Sequence, residues 1–222
     1  MRLDRLDSQN RGELTERTLV LCEGKRDASF VLHLAEQRGI RGVQVGFPDP
    51  VTSTTYGKGG FKDYLINLRV RRGFKDLLHL VILRDCDENG EAAFRDVVEQ
   101  ISGAGKYAIP IAPEQETPGA PGITVRLVPD SDTKGNLDML LLTGIDANHP
   151  LNHCFGPYFD CCKLGQVSLG KAAKMRLTTI VAASCRDNPS CSLVWVWKEN
   201  GNPIRLDSTN FDPLAEFLRR FV

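Results

Sequence analysis

The sequence predicts an α/β fold: a mostly parallel sheet flanked by helices, with a helical C-terminal extension. Three observations predict it. Thr18–Cys22 and Leu77–Leu83 are short, continuous apolar runs, the composition of parallel strands buried on both faces. Each run is followed within a few residues by apolar positions recurring at helical spacing. A further strand-and-helix pair lies between them, and this alternation is the pattern of a parallel sheet.

Element by element, residues 1–16 show no apolar periodicity and read as a loose lead-in. Thr18–Cys22 is the first strand. From Ala28 the positions Phe30, Val31, Leu34 and Ala35 share a helical face, and Gly39 marks the stop. Gly42–Phe47 supplies a second strand, and Pro48–Gly60 is turn-rich. A helix over Phe61 to about Arg71 leads into the strand Leu77–Leu83, and Glu91–Ile101 returns to helix. Four prolines and two glycines make Ile109–Gly122 a surface loop before the strand Ile123–Val128. Gly135–Leu142 reads as a short buried helix carrying one acid, Gln166–Ser184 as a longer amphipathic helix, and Phe211–Phe221 as a terminal one. Trp195 and Trp197, two apart, fit an extended edge with both rings on one face, buried against the Gln166–Ser184 helix. The domain reading is therefore lead-in 1–16, α/β domain 17–145, and a helical extension 146–222 on the same core.

Charge excludes one class of partner binding. The chain has 28 basic and 28 acidic side chains and a pI near 6.9, so no global cationic field is available to hold nucleic acid non-specifically. Any phosphate must be met locally. No run approaches the roughly 20 apolar residues of a membrane span, and the polar, mixed-charge N-terminus lacks the apolar centre of a signal peptide. A cytoplasmic location is expected, with the seven cysteines reduced.

The chemistry sits where strands end. Ligands of parallel sheets collect at the carboxyl ends of strands, and both apolar runs finish in acids: Cys22-Glu23-Gly24-Lys25-Arg26-Asp27 and Asp85-Cys86-Asp87-Glu88. Asp85 and Asp87 share a face of an extended tail, while Glu23 and Asp27 can share a helical face. Carboxylates gathered at one edge repel one another unless a cation lies between them, and hard oxygen donors suit Mg²⁺ or Mn²⁺. Such a site polarises a phosphoryl oxygen and activates water. For Asp27 a helix-capping role is the alternative, and Arg84 can partner the carboxylates instead.

The segments LVLCEGKRD and LVILRDCDENG resemble the TOPRIM domain of topoisomerases, primases and overcoming-lysogenization-defect (OLD) nucleases: a Glu-Gly-x-x-Asp turn after the first core strand and an Asp-x-Asp after a later one. The chain also resembles small stand-alone TOPRIM-related proteins near the OLD-type nucleases. These also carry a glycine pair, as at Gly59-Gly60, and a Gly-x-Leu-acid element, as at Gly135-Asn136-Leu137-Asp138. The likeness covers roughly residues 17–142, with a weaker echo in the C-terminal helices.

The resemblance implies a TOPRIM-like, Rossmann-like sheet. It implies Glu23 as metal ligand or general acid/base, Asp85 and Asp87 as metal ligands at the catalytic centre, and Asp27 as the ligand the nuclease branch adds. Asp138 is a further ligand where relatives carry Glu. Lys25 and Arg26 could face phosphate, although exposed loop cations usually face water. The activity implied is a Mg²⁺- or Mn²⁺-dependent phosphodiesterase or nuclease. The alternative is a non-hydrolytic nucleic-acid-binding or regulatory subunit that keeps the fold. The chain has no room for a topoisomerase's tyrosine domain or a primase's flanking regions. Gly57–Lys62 lacks the spacing of a phosphate-binding loop, so any ATPase has to be a separate partner.

Other clusters have structural readings beside functional ones. His149, His153 and Cys154, with Cys161 and Cys162, invite zinc, but Pro150 opposes a regular helix there and no Cys-x-x-Cys exists. Cys22 and Cys86 flank the acids and serve either as redox-sensitive thiols or as small buried residues. Arg69, Arg71, Arg72 and Lys75 face either a nucleic-acid backbone or solvent at a helix end. The tryptophans could stack bases.

Overall fold

The computed structural model describes residues 2–3, 13–48, 57–130, 132, 134–164 and 167–222. It is an α/β structure built on an all-parallel sheet. The strands are β1 (Arg2–Leu3), β2 (Thr18–Cys22), β3 (Val43–Gly46), β4 (His79–Asp85) and β5 (Gly122–Val128), in the order β1-β3-β2-β4-β5. The α-helices are α1 (Lys25–Gln37), α2 (Phe61–Leu68), α3 (Gly90–Ala104), α4 (Leu137–Thr143), α5 (Phe155–Cys161), α6 (Leu169–Ser184) and α7 (Asp212–Arg219).

Period-2 alternation divides the core into two layers. Leu19, Leu21, Leu80, Ile82, Ile123 and Val125 face α2 and α3, joining Phe61, Leu65, Val97 and Ile101 in one cluster. Val20, Cys22, Val43, Val45, Val81 and Leu83 point the other way, into a cluster shared with α1. Leu140, Phe155, Leu177, Ile180, Phe211 and Phe217 belong to that second cluster, so the C-terminal elements complete one face of the sheet. All β2, β3 and β5 positions are buried, including the polar Gln44, Thr124 and Arg126, so β2 reads as an apolar run while β3 and β5 are interrupted.

Chain order places a switch point at the centre. From β2 the chain crosses through α1 to β3 on one side, then returns through α2 to β4 on the other. The loops after β2 and β4 therefore diverge to opposite faces and leave a crevice between two adjacent strands. This is the position where open α/β sheets hold their ligands.

Several boundaries differ from the sequence reading. Part of the predicted lead-in is strand, since Arg2 and Leu3 pair with Gln44 and Val45 at the sheet edge. An edge strand needs backbone partners and no apolar period, so composition carries no trace of it. The turn-rich segment lies partly outside the described residues, as does Gln166, and α6 begins at Leu169. The Trp195–Trp197 segment is a 3₁₀ turn over Val196–Lys198 rather than an extended edge. Trp197 packs on α1, 5.9 Å from Phe30 and 5.8 Å from His33 between ring centroids, and its indole N–H donates to Ser29 Oγ at 3.1 Å. Trp195 remains 45% exposed. Among the described residues no helix is long and apolar enough to cross a membrane.

Candidate functional site

The β2–β4 register puts Cys22 beside Leu83, so Glu23 and Arg84 follow as neighbours and Asp85 closes β4. The β2–α1 turn is short because Gly24, in extended conformation, caps α1 directly, and the Ala28 amide donates to the Gly24 carbonyl. Helix therefore starts at Lys25 and not at Ala28. The cap has no side-chain hydrogen bond, and Asp27 lies in the first turn of α1, where the helix dipole favours an acid.

After β4 the backbone turns sharply at Asp87, whose φ is +51°. That turn is held by Gly135: Asp87 N–H donates to the Gly135 carbonyl at 2.7 Å, and Gly135 N–H returns to the Asp87 carbonyl at 2.8 Å. Gly135 itself has φ +151°, and a Cβ there would lie 2.8 Å from Met139 Sδ. Only glycine meets both demands. Asn136 then caps α4, accepting from Met139 N–H at 3.2 Å, and Leu137 N–H donates to Asp85 Oδ1 at 2.9 Å. Asp138 pairs with Arg26. Each residue of the Gly-x-Leu-acid element thus has its own task at the site.

Arg84 is the centre of the arrangement. Its side chain is 3% exposed. Nη1 donates to Glu23 Oε2 at 2.7 Å and to the Asp85 carbonyl at 3.0 Å, and Nη2 donates to Asp87 Oδ2 at 3.2 Å. Asp96 Oδ2 on α3 lies 3.9 Å from Nε, beyond hydrogen-bond reach. Lys58 Nζ is 3.5 Å from Asp87 Oδ2. Its turn is fixed by Gln100, which donates to the Lys58 carbonyl at 2.6 Å and accepts from Phe61 N–H at 3.0 Å.

Asp27 and Asp85 have no salt-bridge cation among the described residues. Burial, then the charge of Glu23, push the Asp27 carboxyl up to about 6. Burial, then the charges of Asp27 and Glu23, push Asp85 up to about 8, opposed by the Leu137 N–H. Glu23 is also raised, by burial first, with Arg84 opposing and Asp87 reinforcing. In both, loss of water is the first cause and neighbouring carboxylates the second, with Arg26 opposing the rise at Asp27.

These groups open into a cleft of about 980 Å³. Glu23, Asp27, Asp85, Asp87 and Asp138 all line it. Arg26 lines it too, but committed to Asp138, whereas Lys25 is turned to the Trp195 ring, 5.6 Å from its centroid. The cations that complete the wall are Lys58, Lys134, Lys171 and Lys174, which sequence reasoning missed. Lys171 and Lys174 are three apart and share a face of α6, but nothing in the sequence says that this face borders the acids. Gly170 lets α6 approach closely, since a Cβ there would lie 2.8 Å from Asn136 Nδ2.

Among the described residues no group of three or more His, Cys, Asp or Glu is arranged to hold a metal ion. The five acids grouped by sequence are divided: Asp138 goes to Arg26, Glu23 and Asp87 to Arg84, and only Asp27 and Asp85 are left without a cation. Two carboxylates still suit Mg²⁺, which keeps several waters and is commonly held by one or two protein carboxylates plus substrate phosphate.

The other clusters have structural duties. His149 Nδ1 accepts from Leu151 N–H at 3.3 Å and caps the 3₁₀ turn Pro150–His153. Arg71 is buried over the Tyr64 ring, Arg69 donates to the Gly105 carbonyl at 3.0 Å, and Arg72 meets Glu13 at 3.1 Å. All seven cysteines are free, with Cys22 and Cys86 buried.

No curated protein and no solved structure matches the chain. Residues 17–222 match the model of a family described as a protein of unknown function, DUF3226, and the chain belongs to that family.

Proposed function

We propose that this chain is a divalent-metal-dependent phosphodiester hydrolase of TOPRIM type, acting on nucleic acid in the cytoplasm. The observation that carries the reading is the pair Asp27 and Asp85 at the central switch point, both raised and neither given a cation, beneath a lysine-lined cleft. Mg²⁺ or Mn²⁺ held there would supply Lewis acidity toward a phosphoryl oxygen and the attacking water. Lys58, Lys134, Lys171 and Lys174 hold the flanking phosphates, which suits a chain with no net charge. Glu23, raised by burial, takes the proton from water. The Glu-Gly-x-x-Asp and Asp-x-Asp resemblance supports the same assignment. Any ATPase acts as a separate partner chain.

A second reading is a non-hydrolytic nucleic-acid-binding or regulatory subunit. The Arg84 fork favours it, because it occupies Glu23 and Asp87 with a permanent cation. One experiment separates the two. Mn²⁺ and Mg²⁺ binding is measured by calorimetry on the wild type and on Asp85→Ala/Asp87→Ala, with cleavage of plasmid, single-stranded DNA and RNA in the same buffers. Metal binding and cleavage, both abolished in the variant, support the hydrolase. Nucleic-acid binding without cleavage supports the subunit.

A further inference from the structure

We infer that Trp195 is a stacking platform for an unpaired nucleobase, so that the nucleic acid held by this chain is single-stranded. The inference rests on nucleic acid as the partner, common to both readings above, and adds a contact outside the acidic cleft.

The segment that carries Trp195 is fixed to α1. Ser29 Oγ donates to the Val194 carbonyl at 2.7 Å and accepts from the Trp197 indole N–H at 3.1 Å. Val196 is fully buried and Trp197 packs on Phe30 and His33, whereas Trp195 is 45% exposed. Packing of the turn therefore uses Trp197 and leaves the Trp195 ring to solvent on a rigid base. Two cations flank that ring: Lys25 Nζ from the start of α1 at 5.6 Å and Lys198 Nζ at 5.4 Å from its centroid. Neither lysine has a salt bridge among the described residues. Both stand farther from the ring centre than the about 3.5–4 Å of a stacked partner, so the ring is flanked and still open. Beside it lies a recess of about 460 Å³ lined by Asn188, Ser190, Ser192 and Glu199, polar groups suited to the edge of a base. Position joins this recess to the cleft: Lys25 leaves the backbone between Glu23 and Arg26, which both line the acidic cleft. A strand leaving the cleft past the β2–α1 turn meets the indole. In a chain of 28 basic and 28 acidic side chains, stacking supplies affinity that net charge does not. Bases of a duplex offer only their edges, so an exposed indole face selects a single strand. With Lys25 and Lys198 directed to the indole, the platform adds stacking and no further phosphate contact.

The test measures binding of single-stranded DNA and RNA oligonucleotides of about 12 nucleotides, within the span of such sites, to the full chain in EDTA, so that no outcome depends on metal. Fluorescence anisotropy gives affinity at several salt concentrations, and intrinsic tryptophan emission reports stacking. The DNA and RNA arms show which backbone is taken, since the ring reads only the base. Wild-type emission should be quenched. Trp195→Ala should bind about 5- to 100-fold more weakly, the worth of one stacked base, with the salt slope unchanged. Trp195→Phe should keep most of the affinity and lose the quenching. An abasic oligonucleotide of the same length should bind wild type and Trp195→Ala alike. Wild-type affinity in a folded Trp195→Ala overturns the inference, as does a loss that comes with a shallower salt slope, or a duplex bound as tightly as the single strand. Each of these leaves the nucleic-acid reading intact. Where Trp195→Ala does not fold, the wild type decides, because an abasic oligonucleotide bound as tightly as one with bases overturns the inference. Binding of no oligonucleotide by the wild type overturns the nucleic-acid reading and the inference with it.

Discussion

Arg84 Nη1 donates to Glu23 Oε2 across 2.7 Å, tying the residue after β2 to the penultimate residue of β4, 61 positions further along the chain. Because Arg84 is buried, this contact is structural as well as electrostatic. Removing one partner of a buried pair leaves an uncompensated charge, at a cost of about 3–5 kcal/mol. Arg84→Gln should lower the urea midpoint in EDTA by a corresponding amount at pH 8. The loss should shrink at acid pH, where Glu23, already raised by burial, becomes neutral. An unchanged midpoint at pH 8 would show that the fork contributes nothing.

Stability of the metal-free protein should fall as pH rises from about 5 to about 8.5. Asp27 and Asp85 titrate near 6 and near 8 in the folded chain, against about 4 when unfolded. The folded state therefore holds more protons than the unfolded state across this window, and folding weakens as they leave. Urea titrations in EDTA read the effect. Asp85→Asn should flatten the upper half of the profile and stabilise the protein at pH 8. It should also abolish Mn²⁺ binding, a combination that loss of a merely structural acid would not give.

Lys171→Ala/Lys174→Ala should weaken binding of single-stranded nucleic acid and reduce its salt dependence. Removing one lysine from a phosphate lowers the slope of log K against log salt by about 0.7 for single strands. Fluorescence anisotropy at salt concentrations from about 50 to about 200 mM, a range over which electrostatic binding falls steeply, measures it. Lys25→Ala, whose ammonium sits over Trp195 outside the cleft, should leave the slope unchanged. Equal effects from both variants would place the phosphate track elsewhere.

Gly135→Ala should destabilise the fold by about 1–3 kcal/mol, because the new Cβ meets Met139 and Pro129 at a backbone angle that alanine avoids. Its second consequence is at the site. The paired hydrogen bonds that hold Asp87 should loosen, and with them the hydrogen bond from Arg84 to Asp87. Circular dichroism on melting and amide exchange at Asp87 report the two effects separately.

β2 and β4 were legible because they are buried on both faces and almost continuously apolar, whereas the edge pair Arg2–Leu3 left no trace in composition. The acids were legible because they follow those strands directly. Asp27 shows the limit: first-turn acid and helix cap are equally compatible with its spacing, and only the extended Gly24 cap decides between them. Trp195 and Trp197 show another, since a spacing of two reads as an edge strand yet here belongs to a 3₁₀ turn held to α1 through Ser29.

By itself, the sequence determined the α/β class, the succession of elements from β2 through α4 and the gathering of Glu23, Asp27, Asp85 and Asp87 at strand ends, because local periodicity and chain order suffice for these. The tertiary structure alone decided how those charges pair. Arg84 with Glu23 spans 61 residues and Arg26 with Asp138 spans 112, while Lys171 and Lys174 reach the same cleft from a helix whose register no local pattern encodes. Which carboxylates are already neutralised, and which two still lack a cation, depends on distances that exist only after the sheet has formed.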